Sequence, residues 1–150
     1  MSLTYKNILI AIDGSKEAEK AFKKALAIAK INDAKLLITH VIDTRSYATV
    51  EAYDRTIAER AEEFANVLLE SHKKEAIEAG LTNVETILEY GSPKVKIAKD
   101  IAPKHNVDLI VCGATGLNAV ERFFMGSVSE HITRYAKCNV LVVRSDVEED

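Results

Sequence analysis

Three of the six glycines in this 150-residue chain fall close together, at Gly113, Gly116 and Gly126. Taken singly, each reads as punctuation: the end of a strand, a turn, the residue before a helix. Taken together, they suggest anion chemistry. Gly113 and Gly116 are the first and fourth residues of a loop, Gly113-Ala114-Thr115-Gly116, that closes an apolar run. With no Cβ in the way, backbone N–H groups there can approach an anion closely. Gly126-Ser127 then opens a helix, whose free amides and dipole favour phosphate. Ser127 and Glu130 also form an S-x-x-E capping box. The serine can therefore cap its helix, contact a phosphate, or do each in a different state.

Asp13 is the second candidate. It ends the first apolar run in an Asp-Gly-Ser sequence, which can simply turn the chain and cap the following helix. Its functional alternative is a carboxylate that accepts hydrogen bonds from a ribose hydroxyl or stands near a bound cation. Position at the end of the first strand, beside the predicted fourth, favours function. Other chemistry finds little support. His40, His72, His105 and His131 share no metal-ligand spacing, and no G-x-S-x-G elbow, Walker A loop or G-x-G-x-x-G fingerprint occurs. Arg122 and Arg134 could meet phosphates, although exposed arginines are mostly solvated.

Two alternating kinds of segment position these residues. The apolar run at residues 6–12 (KNILIAI) reads as a strand buried on both faces, and those at 35–42 (KLLITHVI), 107–112 (VDLIVC) and 139–143 (NVLVV) read as further strands. Residues 83–90 (NVETILEY) alternate and carry more charge, as an edge strand would. Between them, Ala18, Ala21, Phe22, Ala25, Leu26 and Ala29 recur with helical period. A long helix is predicted over about residues 53–79, with Ile57, Ala61, Phe64, Leu68 and Ala76 inward and Gly80 as its stop. Ser92 and Pro93 start a shorter helix carrying Val95, Ala98, Ile101 and Ala102. A last helix from about Ser127 turns Val128, Ile132, Tyr135 and Ala136 inward. The order βαβαβαβαβ implies an α/β fold with a parallel sheet and helices on both faces. Residues 43–52 have no clear period and read as the most mobile excursion. Residues 145–150 read as a loose acidic tail beyond a single domain over 1–144.

Composition narrows the class. The chain has a net charge of −3 from 20 basic and 23 acidic residues, a poor footprint for nucleic acid. No apolar stretch approaches a membrane span of about 20 residues. Cys112 and Cys138 lack metal or disulfide spacing, so both are expected to act as small hydrophobes in a reducing cytoplasm.

The run Gly113-x2-Gly116-x9-Gly126-Ser127, the opening NILIAIDGS and the closing CNVLVVR resemble the universal stress protein family over essentially the whole chain. That resemblance implies an open five-stranded parallel sheet of order 3-2-1-4-5, an adenine nucleotide alpha hydrolase-like (Rossmann-like) architecture. It implies ATP, or AMP or another adenine nucleotide, lying across the ends of strands one and four. Ala11 and Ile12 would belong to the nucleotide site, with Asp13 meeting the ribose. The backbone of Val41 would meet adenine, and Gly113 would lie under the ribose. Gly116, Gly126, Ser127 and Val128 would cradle the phosphates, with Thr115 and Ser129 close by. Thr115 stands where relatives often place Arg or His, which removes a cationic contact. Asn139 replaces a proline common before the last strand. Magnesium, where used, would be held mainly by the phosphates. Family members commonly dimerise through the last strand, so a homodimer through Asn139–Val143 is expected, with no nucleic-acid or membrane partner. The expected function is nucleotide sensing in a stress response. A slow ATPase or phosphoryl or adenylyl transferase, and a nucleotide-free dimeric interaction protein, are the alternatives. A phosphorelay receiver is set aside, because no Asp ends strand three and no Lys ends strand five.

Overall fold

The computed structural model describes residues 4–44, 55–115 and 125–144. Five strands, β1 (Asn7–Ala11), β2 (Lys35–Asp43), β3 (Val84–Gly91), β4 (Leu109–Gly113) and β5 (Asn139–Val143), form one sheet of order β3-β2-β1-β4-β5. Every pairing is parallel. The helices are α1 (Lys16–Asn32), α2 (Arg55–Glu78), α3 (residues 93–104) and α4 (Ser127–Tyr135). The fold class and strand order expected from the family resemblance are those observed.

Alternation along the strands divides the core. Ile8, Ile10, Leu36, Ile38, Leu109 and Val111 face Ala21, Phe22 and Ala25 of α1 and Leu69 and Ala76 of α2. Leu9, Leu37, Val41, Ile110 and Cys112 face Ile97, Ala98 and Ile101 of α3 and Ile132 of α4. Burial on both faces explains why these strands read as continuous apolar runs. Each fully buried aliphatic side chain contributes about 1.5–3 kcal/mol, so the three central strands anchor the sheet.

Register gives the sheet edge its shape. β1 pairs with β2 only as far as Ala11 opposite Thr39, and with β4 only as far as Ile10 opposite Val111. β2 runs on with β3 to Asp43 opposite Gly91, and β4 runs on with β5 to Gly113 opposite Val143. The early end of β1 leaves a notch at the carboxyl edge, where the strand order reverses. Open α/β sheets bind ligands at such a point.

Three helical expectations need correction, one of them Tyr135 of α4, expected inward but 45% exposed. In α2 the buried stripe is Ala65, Leu69, His72 and Ala76, whereas Ile57 and Phe64 are 39% and 51% exposed. The periodic pattern was displaced because its true axis passes through a histidine. His72 is buried with Nδ1 2.8 Å from the Leu68 carbonyl, Nε2 2.6 Å from Glu19 and its ring edge-on to Phe22. In α3 the middle six residues, Lys96–Ile101, form a wider π turn, which brings Ile97 inward beside Ala98 and leaves Val95 exposed. Pro103 has no N–H to offer the Lys99 carbonyl, and its ring crowds that carbonyl, so the tighter α spacing is disfavoured there. Ser92 occupies the N-cap position expected of it, but its side chain makes no capping bond.

Candidate nucleotide site

The floor of the notch is the β1–α1 turn. Ile12 N–H donates to the Thr39 carbonyl at 2.9 Å, and the Ile12 carbonyl meets His40 Nδ1 at 2.8 Å. Because a carbonyl only accepts, His40 must carry its proton on Nδ1 there. Asp13 Oδ1 accepts from Ser15 N–H at 2.9 Å, and Ser15 Oγ accepts from Ala18 N–H at 3.1 Å. The Asp-Gly-Ser segment therefore turns the chain and caps α1. Asp13 remains half-buried at the notch, with Oδ1 engaged and its rotamer held by the turn.

Gly14 between them has φ +88°, and a Cβ there would come 3.1 Å from Phe64 Cζ. The positive φ strongly favours glycine, and a Cβ would push the Phe64 ring back by a few tenths of an ångström. Phe64 also approaches His40 edge-on, with ring centroids 6.0 Å apart. Phe64 thus packs over the floor from α2. His40 and Phe64 carry no local sequence signal for this placement, since only the tertiary seat of α2 brings them together.

The β2 wall is formed by Val41 to Asp43, whose backbone extends beyond the last β1 partner. Val41 itself is buried, so its main chain rather than its side chain faces the notch edge. The β4 wall ends at Gly113. A Cβ on Gly113 would lie 3.1 Å from the backbone carbonyl carbon and oxygen of Glu17 in the first turn of α1. This glycine is required by close packing of β4 against α1, whatever the notch holds. Glu17 Oε1 is buried there without a hydrogen-bond partner, and no spacing rule in the sequence marks it.

Beyond Gly113 the chain is tied to α4. Gly126 N–H donates to the Ala114 carbonyl at 2.7 Å. Ser129 Oγ–H donates to the same carbonyl at 2.7 Å, with the Gly126 carbonyl 3.1 Å from the same Oγ. Ala114 N–H in turn donates to the Val143 carbonyl at 3.0 Å. The loop after β4, the start of α4 and the end of β5 therefore meet at one residue. Thr115 is half-buried beside this junction, while Gly116 lies outside the described residues.

The capping box is corrected by this arrangement. The N-cap of α4 is Gly126, no side chain caps the helix, and Ser127 lies one residue inside it, exposed. Ser129, on the inward side of the first turn, fastens the helix instead. Gly126 has φ −67°, and its own N–H is committed to Ala114. The donors that point out of the helix start are the amides of Ser127, Val128 and Ser129, which have no partner within the helix.

Burial raises the Cys112 thiol to about 12, and burial, then Asp108, raises Cys138. Both are protonated thiols, inert as nucleophiles at neutral pH. Among the described residues no group of three or more His, Cys, Asp or Glu side chains could hold a metal ion. No helix among them is long and apolar enough to cross a membrane.

The sequence model of the universal stress protein family matches residues 4–144. The chain belongs to the universal stress protein family. A universal stress protein of Staphylococcus haemolyticus is 58% identical over 144 residues, spanning 96% of this chain and 87% of that protein. The solved universal stress protein of Lactobacillus plantarum is 34% identical, with a TM-score of 0.85 over 95% of this chain and 100% of its own. Two more distant structures share the fold. One is a universal stress protein in complex with cAMP, at 24% identity and TM-score 0.71 over 95% of this chain and 99% of that one. The other is the Archaeoglobus fulgidus protein in complex with dAMP, at 22% and 0.66 over 95% and 100%. In this universal stress protein the described residues singled out by sequence, Gly116 not being among them, lie at the carboxyl edge of the sheet. Ala11, Ile12 and Asp13 lie at the notch floor, Val41 at one wall, and Gly113, Thr115 and Gly126 to Ser129 at the other.

Proposed function

We propose that this universal stress protein is an ATP-binding regulatory module that senses an adenine nucleotide as a homodimer in the cytoplasm. The observation that carries the proposal is the double hydrogen bond on the Ala114 carbonyl, from Gly126 N–H and Ser129 Oγ. It sets the open amides of the α4 start beside the β4 wall of the notch. Polyphosphate then lies on the amides of Ser127, Val128 and Ser129, where the helix dipole adds a favourable field of about 0.3–1 kcal/mol per charge. Gly116, which lies outside the described residues, is assigned to the same cradle. The Asp13 carboxylate takes the ribose hydroxyls, and the main chain of Val41, on the side of β2 that faces β1, reads the adenine edge. Magnesium is carried by the phosphates, consistent with the oxygen-rich coordination that ion prefers. AMP or another adenine nucleotide would use the same base and ribose contacts, and the cAMP and dAMP complexes of proteins with this fold support that class.

Calorimetric titration with ATP tests the assignment. The parent chain is expected to bind, and Gly126→Asp, which places a carboxylate against the phosphates, to bind at least about tenfold more weakly. Equal affinity in the two proteins would remove the α4 start from the site. Mass analysis of small molecules released from the purified, denatured protein then identifies the nucleotide.

A further inference from the structure

The seam between α3 and α4 carries a cationic, partly apolar patch away from the proposed nucleotide contacts. His131 lies at its centre, with its ring 4.5 Å from that of Tyr135 and tilted by 41°. Lys99 of α3 places Nζ 4.4 Å from the Tyr135 ring centroid, a cation–π contact. Burial, then Lys99, Lys94 and Arg134, holds the His131 pKa below its ordinary value, so three cations converge on one imidazole. Few carboxylates offset them. Glu130 meets Arg134 at 3.4 Å with both side chains exposed, a pair worth little in water. Asp100 is engaged by Lys96 at 3.2 Å. Among the described residues neither Lys94 nor Lys99 has a carboxylate partner.

Two further features mark this seam. His131 Nε2 and Ser92 Oγ are both buried without a hydrogen-bond partner, the first within α4 and the second immediately before α3. Val95 and Tyr135 are 39% and 45% exposed beside the cations. A solvated charge run would not need apolar side chains standing out among its lysines.

We propose that this α3–α4 patch docks an acidic segment of a partner protein, one that presents an apolar or aromatic side chain between its carboxylates. The carboxylates meet Lys94, Lys99 and Arg134, and the apolar side chain lies on Val95 and Tyr135. Charge complementarity selects this occupant. The whole chain carries −3, so the patch is a local excess of positive charge on an acidic protein. A nucleic acid would meet repulsion from the rest of the molecule and needs a longer basic stripe. A free phosphate would leave Val95 and Tyr135 uncovered.

The experiment is fluorescence anisotropy of a short dye-labelled peptide of glutamates interrupted by phenylalanine, titrated with the full chain. Binding is expected at low salt, weakening as salt rises. The double variant Lys94→Glu/Lys99→Glu should lose at least about tenfold in affinity. Lys24→Glu, an exposed reversal on α1, should leave affinity unchanged, and circular dichroism melts confirm that both variants fold. If the double reversal does not fold, Lys94→Gln/Lys99→Gln takes its place and should lose about threefold or more. A glutamine version of the peptide should not bind. The proposal is overturned by no binding at low salt, by equal binding of the glutamine peptide, or by unchanged affinity in the folded double variant. Tighter capture of a single-stranded oligonucleotide by the same lysines, or equal competition by inorganic phosphate, overturns it too.

Discussion

His131 shows how a single side chain reports its surroundings. Its pKa is lowered by burial first, then by Lys99, Lys94 and Arg134. The unfolded chain, in which these groups disperse, therefore binds the proton more readily than the folded one. Stability from this residue is fully present above the ordinary histidine value of about 6.5. It is lost as pH falls from there through the lowered folded-state value. Thermal melts between about pH 5 and pH 8 should show the parent losing stability on acidification by more than His131→Gln does. Identical slopes would mean that neither burial nor the three cations act on the ring. At the same scale, Gly14 and Gly113 illustrate two different needs for glycine. At Gly14 the need is a positive φ, whereas at Gly113 it is the absence of a Cβ against Glu17.

At the level of elements, α4 is seated by packing against α3 and by one polar anchor. Ile132 is its fully buried apolar residue, and Ser129 fastens its first turn to Ala114 and Gly126. Removing that hydroxyl leaves Ala114 with one donor instead of two. Ser129→Ala is therefore expected to cost about 1 kcal/mol and to lower Tm by about 2–4 °C. Because the same bonds position the Ser127–Ser129 amides, nucleotide affinity should fall with it. A drop in Tm with unchanged ATP affinity would separate α4 docking from the site. The element scale is also where pattern reading went astray. The α2 stripe was displaced because His72, polar by type, sits on the buried axis with its nitrogens bonded to Leu68 and Glu19. The α3 stripe changed because a π turn spaces inward residues differently from 3.6 per turn.

For the whole molecule, the strand order leaves β3 and β5 as the two edges. β3 carries Glu85 and Glu89, and Lys35 at 2.7 Å holds the Glu85 carboxyl below its usual range. Charge of this kind discourages edge-to-edge pairing. β5 reads NVLVV, with its four apolar residues half-buried. An apolar, uncharged edge is suited to pair with its twofold mate in an isologous contact. Light scattering at micromolar concentration is expected to give a dimer mass, and Leu141→Lys to shift it toward monomer. A monodisperse parent monomer would leave β5 without this role.

What the amino-acid order determined alone was the alternation of elements and the candidate residues at their ends. Apolar runs of five to eight residues, separated by helical periods, follow from local chemistry that any chain of this pattern shares. The glycines near residues 113 and 126 and the Asp-Gly-Ser turn were legible for the same reason, since each acts on its immediate neighbours. The tertiary structure decided the rest. Only register shows that β1 stops short of both neighbours, opening the notch. Only packing made Ser129 rather than Ser127 the anchor of α4, and brought Phe64 over Gly14. Long-range hydrogen bonds and the seating of a helix depend on residues distant in sequence, so no local pattern encodes them.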